Sequence, residues 1–273
     1  MSIRPAGASN VACDTAEASG CLEGRGSCVY KQPLPEPPAT EVILALDNVS
    51  RRFDGGAGIT GVDLELHAGE ILGVCGKSGC GKSTLLRLIA GLEMPDAGHI
   101  HHNFRQMGMV FQDPGLLPWL TARANVELVL PKGSKDRAAR ALAEVGLEEA
   151  ADQYPAQLSG GMRQRVGIAR ALAGEPDLLL MDEPFASLDY FTSLQLLELV
   201  GRRVTERPVG GIFVSHDVRE IARLCDRVMV IGGQPGRPVT TLGNPLDASE
   251  RQTRPGAMAH FENAILEAIE NGG

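Results

Sequence analysis

The stretch "GKSGCGKST" at 76–84 restricts this chain more than any other feature. It follows a short apolar run, "ILGVCG" at 71–76, and leads into "GKSTLLRLIAGL", whose apolar residues recur at helical spacing. Strand, glycine-rich loop and helix in that order are the context of a phosphate-binding P-loop. Residue type gives the chemistry. Gly76, Gly79 and Gly81 let backbone N–H groups turn toward phosphate oxygens, Lys82 reaches the β and γ phosphates, and the Ser83 hydroxyl coordinates Mg2+. Gly76, Lys77, Ser78, Gly79, Cys80, Gly81, Lys82, Ser83 and Thr84 are therefore the expected contacts of a nucleoside triphosphate, with Cys80 a small, permissive side chain in the loop.

Around that loop the hydrophobic pattern has two forms. "EVILALDNVSRRF" and "GVDLELHAG" alternate apolar and polar residues, as half-buried antiparallel strands do. "ILGVCG", "DLLLMDE" (177–183), "GIFVSH" (211–216) and "RVMVIGG" (227–233) are continuous apolar runs, as expected of parallel strands covered on both faces. Helical spacing marks the segments between them, such as "GMRQRVGIARAL" and "DVREIARLCD". The fold class is thus α/β, a P-loop core with a parallel sheet, an antiparallel β subdomain and a helical insertion. Residues 1–40, rich in Gly, Ala, Ser and Pro, are expected to be a disordered tail or linker. A nucleotide-binding domain spans 41–245 with the insertion at about 113–158, and 246–273 form a C-terminal helical extension.

Two further elements carry chemistry. "DLLLMDEP" places Asp182 and Glu183 at the carboxyl end of a buried strand, where open α/β sheets bind ligands. Asp182 is suited to hold Mg2+ through water, and Glu183 to orient and deprotonate the water that attacks the γ-phosphate. "LSGGMRQR" at 158–165 opens a helix with Ser159, Gly160 and Gly161, a second device for binding phosphate. One triphosphate does not need both.

Composition removes other classes. The net charge of −8 and the lack of a dense Lys/Arg run exclude a nucleic-acid groove, and no apolar run is long enough to span a bilayer. A secretory leader is not expected, because Arg4, Pro5 and Asn10 interrupt residues 1–12. Cys13, Cys21, Cys28, Cys75, Cys80 and Cys225 do not read as a disulfide framework, and the spacing of the first three fits no tight metal pair.

In order along 41–240 these motifs resemble the ATP-binding subunits of ABC transporters: the P-loop, Gln112 in "VFQDP", "LSGGMRQR", "LLLMDEP", "SLD" at 187–189 and His216 in "VSHD". The resemblance implies an ATPase that uses ATP and Mg2+ and works as a head-to-tail homodimer, in which Ser159, Gly160 and Gly161 close on ATP held by the partner's P-loop. That would explain the second device. It also implies that Asp189 runs along the seam, that His216 contacts the γ-phosphate and that Gln112 touches Mg2+ or the attacking water. Phe53 sits where the family stacks adenine, although a Phe after a strand also suits the core. Taken alone, His216 reads as a buried, hydrogen-bonded histidine.

The family likeness further implies integral membrane permease subunits as partners, a periplasmic or surface substrate-binding protein acting indirectly, and a peripheral location on the cytoplasmic face of the inner membrane. "DPGLLPWLTARANVELVL" is similar in detail to importers of nitrate, sulfonate and taurine, and Trp119 reads either as packed near the partner groove or as a core anchor. The alternative functions are a non-transport ABC ATPase and a nucleotide-dependent regulatory module with a cysteine-bearing tail. Two departures from the family pattern stand out, the short stretch between Gly98 and Gln112 and the cysteine-bearing N-terminal tail. "HIHHNFRQMGMVF" leaves little room for the customary hairpin, and His99, His101 and His102 within it read as a solvated strand end more readily than as a metal site.

Overall fold

The computed structural model describes residues 41–272; the expected tail, with Cys13, Cys21 and Cys28, lies outside the described residues. The chain opens with β1 (Val42–Arg52) and β2 (Gly58–His67), which pair antiparallel. β3 (Ile71–Cys75) leads through the P-loop into α1 (Lys82–Ile89). β4 (Ala97–His102) returns to pair with β1, giving a three-stranded sheet of order β2-β1-β4. β5 (Met107–Val110) then enters a second sheet.

The helical insertion contains α2 (Ala122–Glu127) and α3 (Lys135–Glu144), which pack on α4 (Gly160–Ala173). The remaining elements are β6 (Leu178–Asp182), α5 (Tyr190–Glu206), β7 (Gly210–Val214), α6 (Val218–Leu224), β8 (Arg227–Gly232), β9 (Arg237–Gly243), α7 (Glu250–Thr253) and α8 (Pro255–Asn271). The six-stranded sheet has the order β5-β6-β7-β3-β8-β9, parallel except for its antiparallel edge strand β9.

Alternation within the central strands explains their uninterrupted apolar sequences. Leu72, Val74, Leu178, Leu180, Ile212, Val214, Met229 and Ile231 face one core, shared with α1 and the antiparallel sheet. Ile71, Cys75, Leu179, Met181, Phe213, Val228 and Val230 face the other, shared with α4, α5, α6 and α8. Apart from Asp182 and Arg227 at strand ends, every position is buried, so no polar residue marks the period of two.

The short segment after Gly98 does not form a hairpin; β4 and β5 belong to different sheets. His99, His101 and His102 are exposed on β4, and His101 Nε2 lies 3.3 Å from Asp47 Oδ2. Among the described residues no group of three His, Cys, Asp or Glu side chains has the geometry to hold a metal. Among them, too, no helix is long and apolar enough to cross a membrane.

Candidate functional site

Parallel pairing puts the carboxyl ends of β5, β6, β7 and β3 on one edge of the sheet. Just past those ends lie Gln112, then Asp182 and Glu183, then Ser215 and His216, then the P-loop, so chain topology alone assembles residues far apart in sequence. Glu183 is the centre of this row. Its Oε2 is 3.5 Å from Gln112 Nε2 and 3.5 Å from His216 Nδ1. Its backbone has φ +47°, in the left-handed region that a residue with a Cβ rarely adopts, while its N–H still donates to Val214 O at 2.9 Å. Strain of this kind persists only where the surroundings fix it, and it concentrates at functional sites.

His216 is not a buried histidine. Its side chain is 69% exposed, because it stands on the turn between β7 and α6 rather than under the sheet. Behind it, the Ser215 hydroxyl donates to Glu220 Oε2 at 2.6 Å and accepts from Asp217 N–H at 3.0 Å. Burial pushes the Glu220 carboxyl above the usual carboxylate range, and the Ser215 hydrogen bond pulls it partway back.

In the P-loop, Lys82 Nζ donates to the Gly76 and Lys77 carbonyls at 2.9 and 3.2 Å, so the ammonium already sits within the loop. Lys77, Ser78 and Gly79 are exposed, and Cys80 is buried beneath them. Ser83 and Thr84 begin α1 and are half-buried. Asp182 is raised from the ordinary range by burial, an effect opposed by a hydrogen bond with Ser83 and reinforced by the charge of Glu183. Ser83, Asp182 and Gln112 offer oxygen donors only, the set a hard divalent cation such as Mg2+ accepts.

The residues expected from the sequence to form a second phosphate device lie on another element. Ser159 caps α4 by accepting from Met162 N–H at 3.2 Å, which leaves its hydroxyl proton free to donate. The N–H groups of Gly160 and Gly161 fall in the first helical turn, where no carbonyl of the helix can take them. Asp189 likewise caps α5, accepting from Thr192 N–H at 3.1 Å and from the Thr192 hydroxyl at 2.6 Å. Those bonds hold its carboxyl below the usual range. Among the described residues, no hydrogen bond or ion pair ties Ser159, Gly160, Gly161 or Asp189 to the P-loop or to Glu183.

A family model described as "ABC transporter" matches residues 59–186. The chain is 41% identical over 244 residues to the aliphatic sulfonates import ATP-binding protein SsuB 1 of Burkholderia lata, covering 88% of this chain and 76% of that protein. This chain belongs to the ABC transporter ATP-binding family. An aliphatic sulfonates import ATP-binding protein of Rhodopseudomonas palustris strain BisA53 is 44% identical over 245 residues, 86% of each chain. Among solved structures, a dimeric ATP-binding cassette in a post-hydrolysis state with ADP and Pi superposes with TM-score 0.69 at 30% identity, over 75% of this chain and all of that one. The structure of an ATP-binding subunit of an ABC transporter gives TM-score 0.70 at 27% identity, over 83% and 99%. The chain is accordingly an ATP-binding, ATP-hydrolysing subunit, with the α/β architecture its motifs imply.

Several residues that shape this ABC subunit's site were given no role by the sequence, although Gln164 lies within "LSGGMRQR". Gln164, 2% exposed on α4, donates to Phe111 O at 3.2 Å, and Arg170 donates to Pro114 O at 2.5 Å and Gly115 O at 3.3 Å. The signature helix thus grips the backbone on both sides of Gln112. Asn125, fully buried, accepts from Leu117 N–H at 2.8 Å and donates to the Leu117, Leu120 and Thr121 carbonyls. It shapes a loop that leaves Trp119 70% exposed, so Trp119 is not a core anchor. Gly236, in the turn before β9, approaches the P-loop so closely that a Cβ there would lie 1.7 Å from Cys80 O. Only the three-dimensional contacts reveal these roles, since isolated Gln, Asn and Gly residues are common in loops and helices.

Proposed function

We propose that this ABC subunit powers import of an aliphatic sulfonate or a similar small anion through separate membrane permeases. The sulfonate assignment rests on the named relatives. ATP lies on the P-loop, with Lys82 and the loop N–H groups on its phosphates and Phe53 against adenine. Ser83 and Asp182, assisted by Gln112, hold Mg2+, which when bound neutralises phosphate charge. Glu183 accepts the proton of the attacking water, and His216 contacts the γ-phosphate.

One observation carries the dimeric part of this reading. Gly160 is exposed, has an ordinary helical backbone, and a Cβ there would meet nothing within 4 Å. Its own chain gives no reason for glycine. A close external approach does, and the free N–H groups beside it suit a phosphate held by a second copy. Ser159, Gly160, Gly161 and Asp189 therefore complete the partner's site.

The chain sits peripherally at the cytoplasmic face of the inner membrane, and an extracytoplasmic binding protein delivers cargo to the permease. The exposed Trp119 and the loop braced by Asn125 form the permease-facing surface. Trp119→Asp is expected to lower co-purification of the permease roughly fivefold while ATP binding persists; unchanged co-purification removes this surface from the interface. Removing residues 1–38 is expected to leave ATP turnover within about twofold of the full chain. A large loss, or bound iron or zinc that disappears when Cys13, Cys21 and Cys28 are replaced, contradicts the view of residues 1–40 as a linker. The cargo is tested with the purified complex: ATPase activity should rise with sulfonate-loaded binding protein. A response to nitrate alone reassigns the substrate.

A further inference from the structure

Phe53 follows β1 directly and starts the turn to β2, with its N–H donating to Ala57 O at 2.9 Å. Its ring is not free on both faces. The Arg51 guanidinium carbon lies 4.9 Å from the ring centroid, within cation–π range. Arg51 is the penultimate residue of β1 and Phe53 the first residue beyond it, and the contact shows that their side chains meet on one side of the chain.

Arg51 is itself anchored. Its NH1 donates to Asp96 Oδ1 at 2.6 Å and its NH2 to Glu93 Oε2 at 3.3 Å. Both acids lie in the connection between α1, the helix that follows the P-loop, and β4. Asp96 is fixed in turn, with Oδ2 accepting from Arg52 N–H at 2.8 Å and its own N–H donating to Ser50 O at 2.8 Å. Arg51 Nε is buried and has no hydrogen-bond partner. The guanidinium therefore spends its outer nitrogens on two carboxylates and its plane on the ring.

We propose that Arg51 is a positioning residue for the adenine subsite. Held by Asp96 and Glu93, its guanidinium covers one face of Phe53 and presets the ring, leaving the other face to the base. This rests on the reading that Phe53 stacks adenine. A ring already immobilised loses less rotational freedom when a ligand stacks on it, so the arrangement tightens binding of the base without touching the phosphates. It also ties the ring to the connection that follows the P-loop helix, so the base and triphosphate subsites keep a fixed separation.

The test measures binding of Mg-ATP and of Mg-tripolyphosphate, which has no base, to the full chain by calorimetry, together with KM and kcat. Arg51→Met should weaken ATP binding by about three- to tenfold, the range for releasing one side chain. Tripolyphosphate binding should be unaltered, and KM should rise while kcat is retained. Phe53→Ala should weaken ATP at least as much, and the double variant should be no worse than Phe53→Ala, because Arg51 acts through the ring. Arg51→Lys keeps the ion pair with Asp96 but loses the planar face, and carries the same test if Arg51→Met does not fold. Three results overturn the proposal. If Phe53→Ala weakens ATP and neither Arg51 variant does, Arg51 is not a positioning residue and the adenine reading stands. If Phe53→Ala leaves ATP binding unchanged, the adenine reading fails and takes the proposal with it. If the Arg51 variants weaken tripolyphosphate as much as ATP, Arg51 acts on the fold around the P-loop instead.

Discussion

Glu183→Gln is expected to lower ATP turnover by about 10² to 10⁴-fold, the usual cost of removing a general base, with nucleotide affinity near that of the unaltered chain. Glutamine keeps the size of the side chain and a hydrogen-bonding oxygen near Gln112 and His216, both 3.5 Å away, but it cannot accept the proton. Binding and chemistry then separate. With the γ-phosphate uncleaved, Ser159 and the free N–H groups beside it stay engaged, and an ATP-bound dimer accumulates. Ser159→Arg places a long side chain at the exposed cap of α4 and should abolish that dimer in the Glu183→Gln background. Size-exclusion chromatography with ATP, in the presence of Mg2+ or of EDTA, reads the outcome. A Glu183→Gln chain that binds ATP and stays monomeric contradicts the shared site; one that turns over ATP normally removes Glu183 from catalysis.

Gly236→Ala is expected to weaken ATP binding by roughly five- to 150-fold, the equivalent of the 1–3 kcal/mol typical of forced overpacking. The new methyl group would sit 1.7 Å from Cys80 O and 2.8 Å from Ile231 Cγ2, so either the turn or the P-loop must move. The turn is bound in place: Gly236 N–H donates to Gly58 O at 2.9 Å and Gly236 O accepts from Thr60 N–H at 2.8 Å. The loop is wedged on two more sides, since a Cβ at Gly76 would meet Ile231 O at 2.1 Å and one at Gly81 would meet Gly58 O at 2.5 Å. Displacement of the loop carries its N–H groups away from the phosphates. Gly55→Ala is the control, because a Cβ there has open space, although its φ of +85° imposes its own modest strain. ATP affinity that is the same for Gly236→Ala as for the unaltered chain shows that the turn does not support the loop.

The central strands β3, β6, β7 and β8 were legible because burial on both faces writes itself as unbroken apolar sequence, and β1 and β2 because one-sided burial writes itself as alternation. The two edge strands of the large sheet were not. β5 is "MGMV", four residues with a glycine, and β9 carries Pro238, which is tolerated because the strand has a neighbour on one side only. The P-loop and the Asp182–Glu183 pair were legible as contiguous motifs. The exposure of His216 and Trp119 was not, since it depends on which turns cover them. Gln164 lies within "LSGGMRQR", but its partner Phe111 is 53 residues away; Gly236 likewise acts on the distant P-loop, and Asn125, though its partners are local, braces an irregular loop that leaves no periodic pattern.

α4 is capped by Ser159 and, through Gln164 and Arg170, holds the chain at Phe111, Pro114 and Gly115. Fourteen helical residues form a stiff rod about 21 Å long, so tilting it by about 3° about its far end shifts Ser159 by about 1 Å. If Ser159 grips a partner's nucleotide as proposed, and a permease docked beside Trp119 displaces the adjoining 111–115 segment, the two are loads on one lever. On that reading the coupling would be reciprocal: whatever factor nucleotide adds to the permease's hold on this subunit, the permease would return to the subunit's hold on nucleotide.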